Sequence, residues 1–369
     1  MENTGNPYDW CYLSGRVNVF ECFLLNANFF ERLLSCQDFH DVLASLNATP
    51  LKDLFTHVKH LYEYEALLHD YYYNRLCEIR ALSPNTAICD FFLVKNEVAN
   101  LKQRVRDEVF VAGTTRSLDK NVRADTWQGA AEVFLEALNE SISYVKDAAT
   151  RRSGHHQAFI TDLIFDGAYL RYVDNLSEKA EGVIIRRYLK AYHLIKGIEA
   201  VRRAVALGID TELFHKCFLK GLDEDHLFCK LAASKAWVSE KTLGAMLVAA
   251  RDRKAFRISQ RDKEHFPVSS QFPFFKMESG EINPFPDGSL VRMLSNLSQE
   301  NSFVYEVTAD NYLLDMLHPV KRIPFGPERV FGYLCGLTAE VFNLKLALGG
   351  KVHRIEGRVL RERLRKTYV

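Results

Sequence analysis

The sequence predicts an all-α protein built from three similar helical modules. Three observations predict it. Apolar residues recur at alternating three- and four-residue steps along the long segments, and no strand pattern or Asn-Gly hairpin competes with them. One polar hexapeptide is also written almost twice, as EVANLK at residues 97–102 and EVFNLK at 340–345.

The clearest helix lies late in the chain. Val330, Leu334, Leu337, Val341, Leu344 and Leu348 form the seam of a helix that packs lengthwise on others. FGPER marks its start: Gly326 takes the cap position, Pro327 suits the first turn and Glu328 faces the positive end of the helix dipole. Gly349-Gly350 is expected to end it through a left-handed residue. An early helix repeats the seam. Adding 243 to Phe91, Val94, Val98, Leu101 and Val105 gives Leu334, Leu337, Val341, Leu344 and Leu348, and Glu97, Asn100 and Lys102 fall on Glu340, Asn343 and Lys345. Chance reproduces an apolar stripe far more readily than a stripe together with its polar set.

A second helix precedes each. Glu65, His69 and Tyr71 in the first copy answer to Glu306, Asp310 and Tyr312 in the last, and the gaps to Glu97 and Glu340 are 32 and 34 residues. A worn third copy follows at a shift of 97, which carries Glu65 onto Asp162, Val98 onto Ile195, Leu101 onto Ile198 and Arg106 onto Arg203. There Glu97, Asn100 and Lys102 become Leu194, Gly197 and Glu199, so the apolar frame survives and the polar signature does not. The modules read as 1–120, 121–222 and 223–369, with joints near 113–126 and 219–226. A polar patch at 150–157 interrupts the middle module, and a proline- and phenylalanine-rich insertion at about 265–289 excludes regular helix from the last.

Composition narrows the function classes. With 47% hydrophobic residues the chain builds a real core, and 48 basic against 47 acidic residues lack the excess expected of a nucleic-acid or anionic-lipid binder. The eight cysteines include no Cys-x-x-Cys pair, which predicts free thiols in a reducing compartment and no structural zinc site. No signal peptide and no charge-free window of membrane-spanning length is read, so a cytosolic protein is expected, free to dock on a membrane complex from the side.

The chemistry-bearing patterns are sparse. Asp162/Asp166 and Glu306/Asp310 are acidic pairs four residues apart, each on one helix face, where carboxylates can ligate a metal or share acid–base work. No Glu-x-x-His partner accompanies them, and the first module has Glu65/His69 instead. His155-His156 is expected in a polar surface loop. Phosphate-binding glycine loops and hydrolase or kinase signatures are absent, so no cofactor or catalytic residue is predicted. The C-terminal run KVHRIEGRVLRERLRKTYV reads as a basic last helix that packs by Leu360 and Leu364. Glu97, Asn100, Lys102 and their counterparts Glu340, Asn343 and Lys345 read as helix-register residues, because a buried unpaired polar group costs about 1–3 kcal/mol and persists only with a partner.

These residues carry a resemblance. The run FGPERVFGYLCGLTAEVFNLKLALGGKVHRIEGRVLRERLRKTYV resembles the ending of the C-type subunit of the V/A-type rotary ATPases, which is called d in eukaryotic V-ATPases. YLSGRVNVFECFLL is similar to the family's opening helix, with Gly15-Arg16-Val17 at its Ala-Arg-Val, and ASLNAT and YEYEALL match its next steps. The resemblance is strong at both ends and weak over 110–300; the middle module lacks the family's polar signature, and no tyrosine follows Thr49. It implies a non-catalytic part: three helical modules around a pseudo-threefold axis, forming a funnel on the cytoplasmic face of the membrane proteolipid ring. The implied partners are that ring and the central shaft of subunits D and F, with no nucleic acid and no membrane span. A helical-repeat scaffold for another assembly is the alternative reading.

Overall fold

The computed structural model describes residues 7–56, 58, 62–107, 154–220 and 302–369, with 134, 136–141, 143–144 and 229. Among them no strand occurs, and the fold is all-α. The expected joint at 113–126 and the insertion at 265–289 lie outside these residues, as does all but the start of the joint at 219–226. The chain divides into two compact units: Met1–Asp90, Ala180–Tyr188 and Glu300–Val369 form one, Phe91–Lys179 and Leu189–Gln299 the other. Both ends of the sequence therefore build the first unit.

In the first unit a 3-10 turn at Pro7–Trp10 leads into α1 (Cys11–Glu21), followed by α2 (Ala27–Ser35), α3 (Phe39–Leu46), α4 (Lys52–Phe55) and α5 (Glu63–Leu82). Short polar side chains start two of these helices. Asn26 accepts from the Phe29 N–H at 3.0 Å, and Asp38 from the Asp41 N–H at 2.9 Å. Helix α6 (Ala87–Val105) begins in this unit and continues into the second.

The late segment supplies α10 (Ser302–Asp315), a 3-10 turn at His318–Arg322, α11 (Pro327–Val352) and α12 (Gly357–Arg363). Helix α11 is the core. It packs against α1, α2, α3, α5 and α12, and its whole predicted seam is buried. By length and composition it could cross a bilayer, although it carries Glu340 and Lys345; most of that stretch is buried inside the unit, as suits a core helix. Its N-cap is Gly326, at a φ of 134° that favours glycine, and Pro327 opens the first turn.

The far end of α11 differs from expectation. The helix passes through Gly349 and Gly350 to Val352, because these glycines serve close packing: a Cβ would lie 2.8 Å from the Tyr64 hydroxyl and 2.5 Å from Leu360 respectively. The left-handed residue is Arg354, at a φ of 55°. Its N–H reaches the Lys351 carbonyl at 3.2 Å, and the Ile355 N–H reaches the Gly350 carbonyl at 2.8 Å, which is the bonding of a Schellman ending. Holding a residue with a Cβ there costs about 1–2 kcal/mol relative to its right-handed conformation.

The expected basic last helix is also shorter: only Gly357–Arg363 is helical, and the chain then extends along α11. Tyr368 lies over Gly332 and Gly336, where a Cβ on Gly336 would approach the Tyr368 Cβ to 2.6 Å.

The second unit contains the body of α6, then α7 (Gly154–Lys179), α8 (Val183–Ala206, from Leu189 onward) and α9 (Thr211–Cys217). Phe91, Val94, Val98, Leu101 and Val105 are all buried, as are Ile195 and Ile198 of the third copy. Rings of Phe91 and Tyr192 meet edge-on at 5.1 Å between centroids. The backbone of His155 and His156 lies in the first turn of α7 rather than in a loop, because the helix that carries Ile160 and Leu163 into the core already begins at Gly154.

Gly336→Ala tests the tail packing. It is expected to lose about 1–3 kcal/mol in chemical denaturation, the usual range for overpacking. Combined with Tyr368→Ala, the loss is expected to be smaller than the sum of the two single losses, since one change makes room for the other.

Candidate functional site

Glu340 and Asn343 lie three residues apart on one buried face of α11. Glu340 Oε2 accepts from the Leu25 N–H at 2.6 Å, in the turn between α1 and α2. The Asn343 amide donates to the Arg365 carbonyl and accepts from the Arg365 N–H, both at 2.9 Å. One side chain thereby pairs with both backbone groups of one residue, as a neighbouring strand would, and holds the extended tail on the helix. Lys345 is exposed.

Further contacts join the early and late segments. The Gly326 N–H donates to Ser14 Oγ at 3.1 Å. Arg329 pairs with Glu21, and its Nε donates to Asn18 at 2.8 Å. The Lys351 ammonium donates to the Leu34 and Cys36 carbonyls, where the end of α2 leaves carbonyls exposed. Arg16 pairs with Glu78, which also takes Arg75 at 2.7 Å, and the Arg75 guanidinium covers the Phe20 ring at 3.9 Å.

The tail consumes the acids of α10. Arg365 Nε pairs with Asp310 at 2.9 Å, the Lys366 N–H donates to Asn311 at 2.7 Å, and Lys366 Nζ pairs with Asp315 at 2.7 Å. Glu306 is half-buried one turn earlier on the same helix. In the first copy, Glu65 accepts from the Tyr64 hydroxyl at 3.2 Å, while the His69 ring stacks on Tyr73.

The α6 copy behaves differently. Glu97 is half-buried and Asn100 exposed, and Lys102 pairs with Asp166 on α7. One turn on, Arg106 pairs with Asp162 at 3.1 Å, while Arg203 of α8 reaches Asp166 at 3.5 Å. The acidic pair Asp162/Asp166 is thus matched by cations four residues apart on a facing helix. Among the described residues no group of histidines, cysteines and acids could hold a metal ion. The arrangement suits holding segments together.

The electrostatics of Glu340 follow from its position. Burial pushes its carboxyl up to about 8, only partly opposed by the Leu25 N–H. Burial raises Glu21 too, against the opposing charge of Arg329. Sequence reasoning missed the tail clamp. Its available signal was the glycine pair in GYLCG at 332–336, a groove floor on a core helix, with an aromatic residue near the end of the chain to fill it.

Glu340 makes stability depend on pH. Between about 4.5 and about 8 the native state holds the Glu340 proton while the unfolded chain releases it, so this group's contribution falls as pH rises, by up to about 1.4 kcal/mol per unit. Below and above that window it is flat. Denaturation curves across the window should show Glu340→Gln, which keeps an acceptor for Leu25, losing less stability on going from pH 5 to pH 8 than the parent.

A family model described as "ATP synthase (C/AC39) subunit" matches residues 13–246. The matched segment takes in the opening helix and the middle of the chain and stops short of the C-terminal run. No curated protein sequence matches the chain. Because the match spans more than half of the 369 residues, the chain belongs to the ATP synthase (C/AC39) subunit family of the V/A-type ATPases.

Proposed function

We propose that the protein is a non-catalytic central-stalk subunit, a socket that links the shaft of a V/A-type rotary ATPase to its membrane proteolipid ring. In this reading it seats subunits D and F, lies on the cytoplasmic side as a peripheral member of the complex, and passes torque between ATP turnover and ion transport. Its three modules, 1–120, 121–222 and 223–369, are arranged about a pseudo-threefold axis as a funnel. Membership of the ATPase subunit family carries the reading.

Two features support it physically. A torque-bearing part must resist deformation, and close-packed interiors transmit strain with little compression. The long buried seams on α6 and α11 supply such interiors. Glu340 and Asn343 act as register residues, since each binds backbone far away in sequence. Arg16, Lys102, Gly326 and Pro327 serve the same end by fixing helix ends and facing helices, as does the half-buried Glu97; Asn100 and Lys345 are the outward members of the repeated motif.

Affinity purification of the tagged full chain from native membranes is expected to recover head and ring subunits together. Recovery of a free monomer alone overturns the reading. The pair Glu340→Leu and Asn343→Leu is expected to lower recovered complex several-fold while ATP binding by the head is unchanged; normal assembly and coupling would remove the register role.

A further inference from the structure

The far end of α11 carries two features that packing does not call for. Arg354 occupies the left-handed position of the helix ending, where glycine fits without strain. Ile355, the residue whose side chain ordinarily folds back onto the helix in such an ending, is 42% exposed. The chain then turns into α12, which buries Leu360 and leaves Val359 and Arg358 outward, the Arg358 side chain 86% exposed. Tyr62, 65% exposed, brings its ring to 6.3 Å from that of His353.

The local charge is cationic although the whole chain is nearly neutral. Residues 351–363 hold five lysines and arginines against two glutamates. Three of the five are engaged within the fold: Lys351 on backbone carbonyls, Arg361 on Glu31 at 2.9 Å, and Arg363 over the Phe303 ring at 4.9 Å. The Arg354 guanidinium has no partner among the described residues, and Arg358 touches Glu362 only at 3.7 Å. The two outward cations thus alternate with two outward aliphatic side chains beside an exposed tyrosine.

We propose that this corner of the first unit, centred on Arg354, Ile355, Arg358 and Val359, docks on the surface of an anionic lipid bilayer. Arginines next to aliphatic and tyrosine side chains suit the boundary of a bilayer, where phosphate lies a few ångströms above hydrocarbon. A purely ionic partner leaves Ile355 and Val359 without a role, and an apolar protein face leaves the arginines desolvated and unpaired. Anionic lipid satisfies both halves of the surface at once.

The test is co-sedimentation of the purified full chain with phosphatidylcholine vesicles, with and without phosphatidylserine. Binding is expected only with phosphatidylserine and weaker at higher salt. Arg354→Gly with Arg358→Gln is expected to lower it about 25-fold, each arginine contributing about fivefold. Ile355→Ser with Val359→Ser lowers it as well. Arg354→Gly alone separates docking from folding: it relieves the left-handed strain, so the unfolding temperature holds or rises while vesicle binding falls. Equal binding to both vesicles, no binding, unchanged binding by the arginine variants, or displacement by inorganic phosphate at matched ionic strength would each overturn the proposal. Vesicle binding by the isolated chain is read separately from recovery of the ATPase complex, so either inference can fail alone.

Discussion

The first unit depends on one constraint: a helix enclosed on nearly all sides must find partners for whatever polar groups it carries. Helix α11 meets it in large part with two side chains, although Glu340 Oε1 is buried without a hydrogen bond. Glu340 Oε2 turns to the Leu25 N–H and Asn343 to the backbone of Arg365, so these polar atoms, which would otherwise weigh against burial, become the points where two segments are held. The remaining contacts of α11 follow the same logic. Glycine permits Tyr368 and Leu360 to lie directly on the helix, and the Lys351 ammonium closes the end of α2.

The second unit solves a similar problem at its surface. Lys102, Arg106 and Arg203 meet Asp162 and Asp166 across three helices, with side chains that are only partly covered. Such pairs are individually weak in water and gain from being networked. They align helices already joined by the apolar seam. The two copies of the hexapeptide share a frame and use it differently: the lysine is paired on α6 and exposed on α11, and the amide is exposed on α6 and buried against backbone on α11.

Much of this is legible in the sequence. Both seams, the start of α11 and the all-helical class follow from periodicity and from FGPER. Periodicity reports which face is buried, and it says nothing of what covers that face. For that reason Asn100 and Asn343, at equivalent positions in equivalent repeats, lie outside and inside. The end of α11 escapes the sequence for a related reason. Paired glycines signal either a stop or a close approach, and only the positions of Tyr64 and Leu360 decide between them. The extended tail leaves almost no local trace, because its conformation is set by α10 and α11 rather than by its own residues.

Building one unit from both ends of the sequence has a consequence for how the chain matures. The turn at Leu25 waits for a carboxylate made 315 residues later, and the groove on α11 stays open until Tyr368 emerges. During synthesis the early helices are held back from their final core while everything between is translated. The second unit, whose segments are nearer neighbours, can be assembled first.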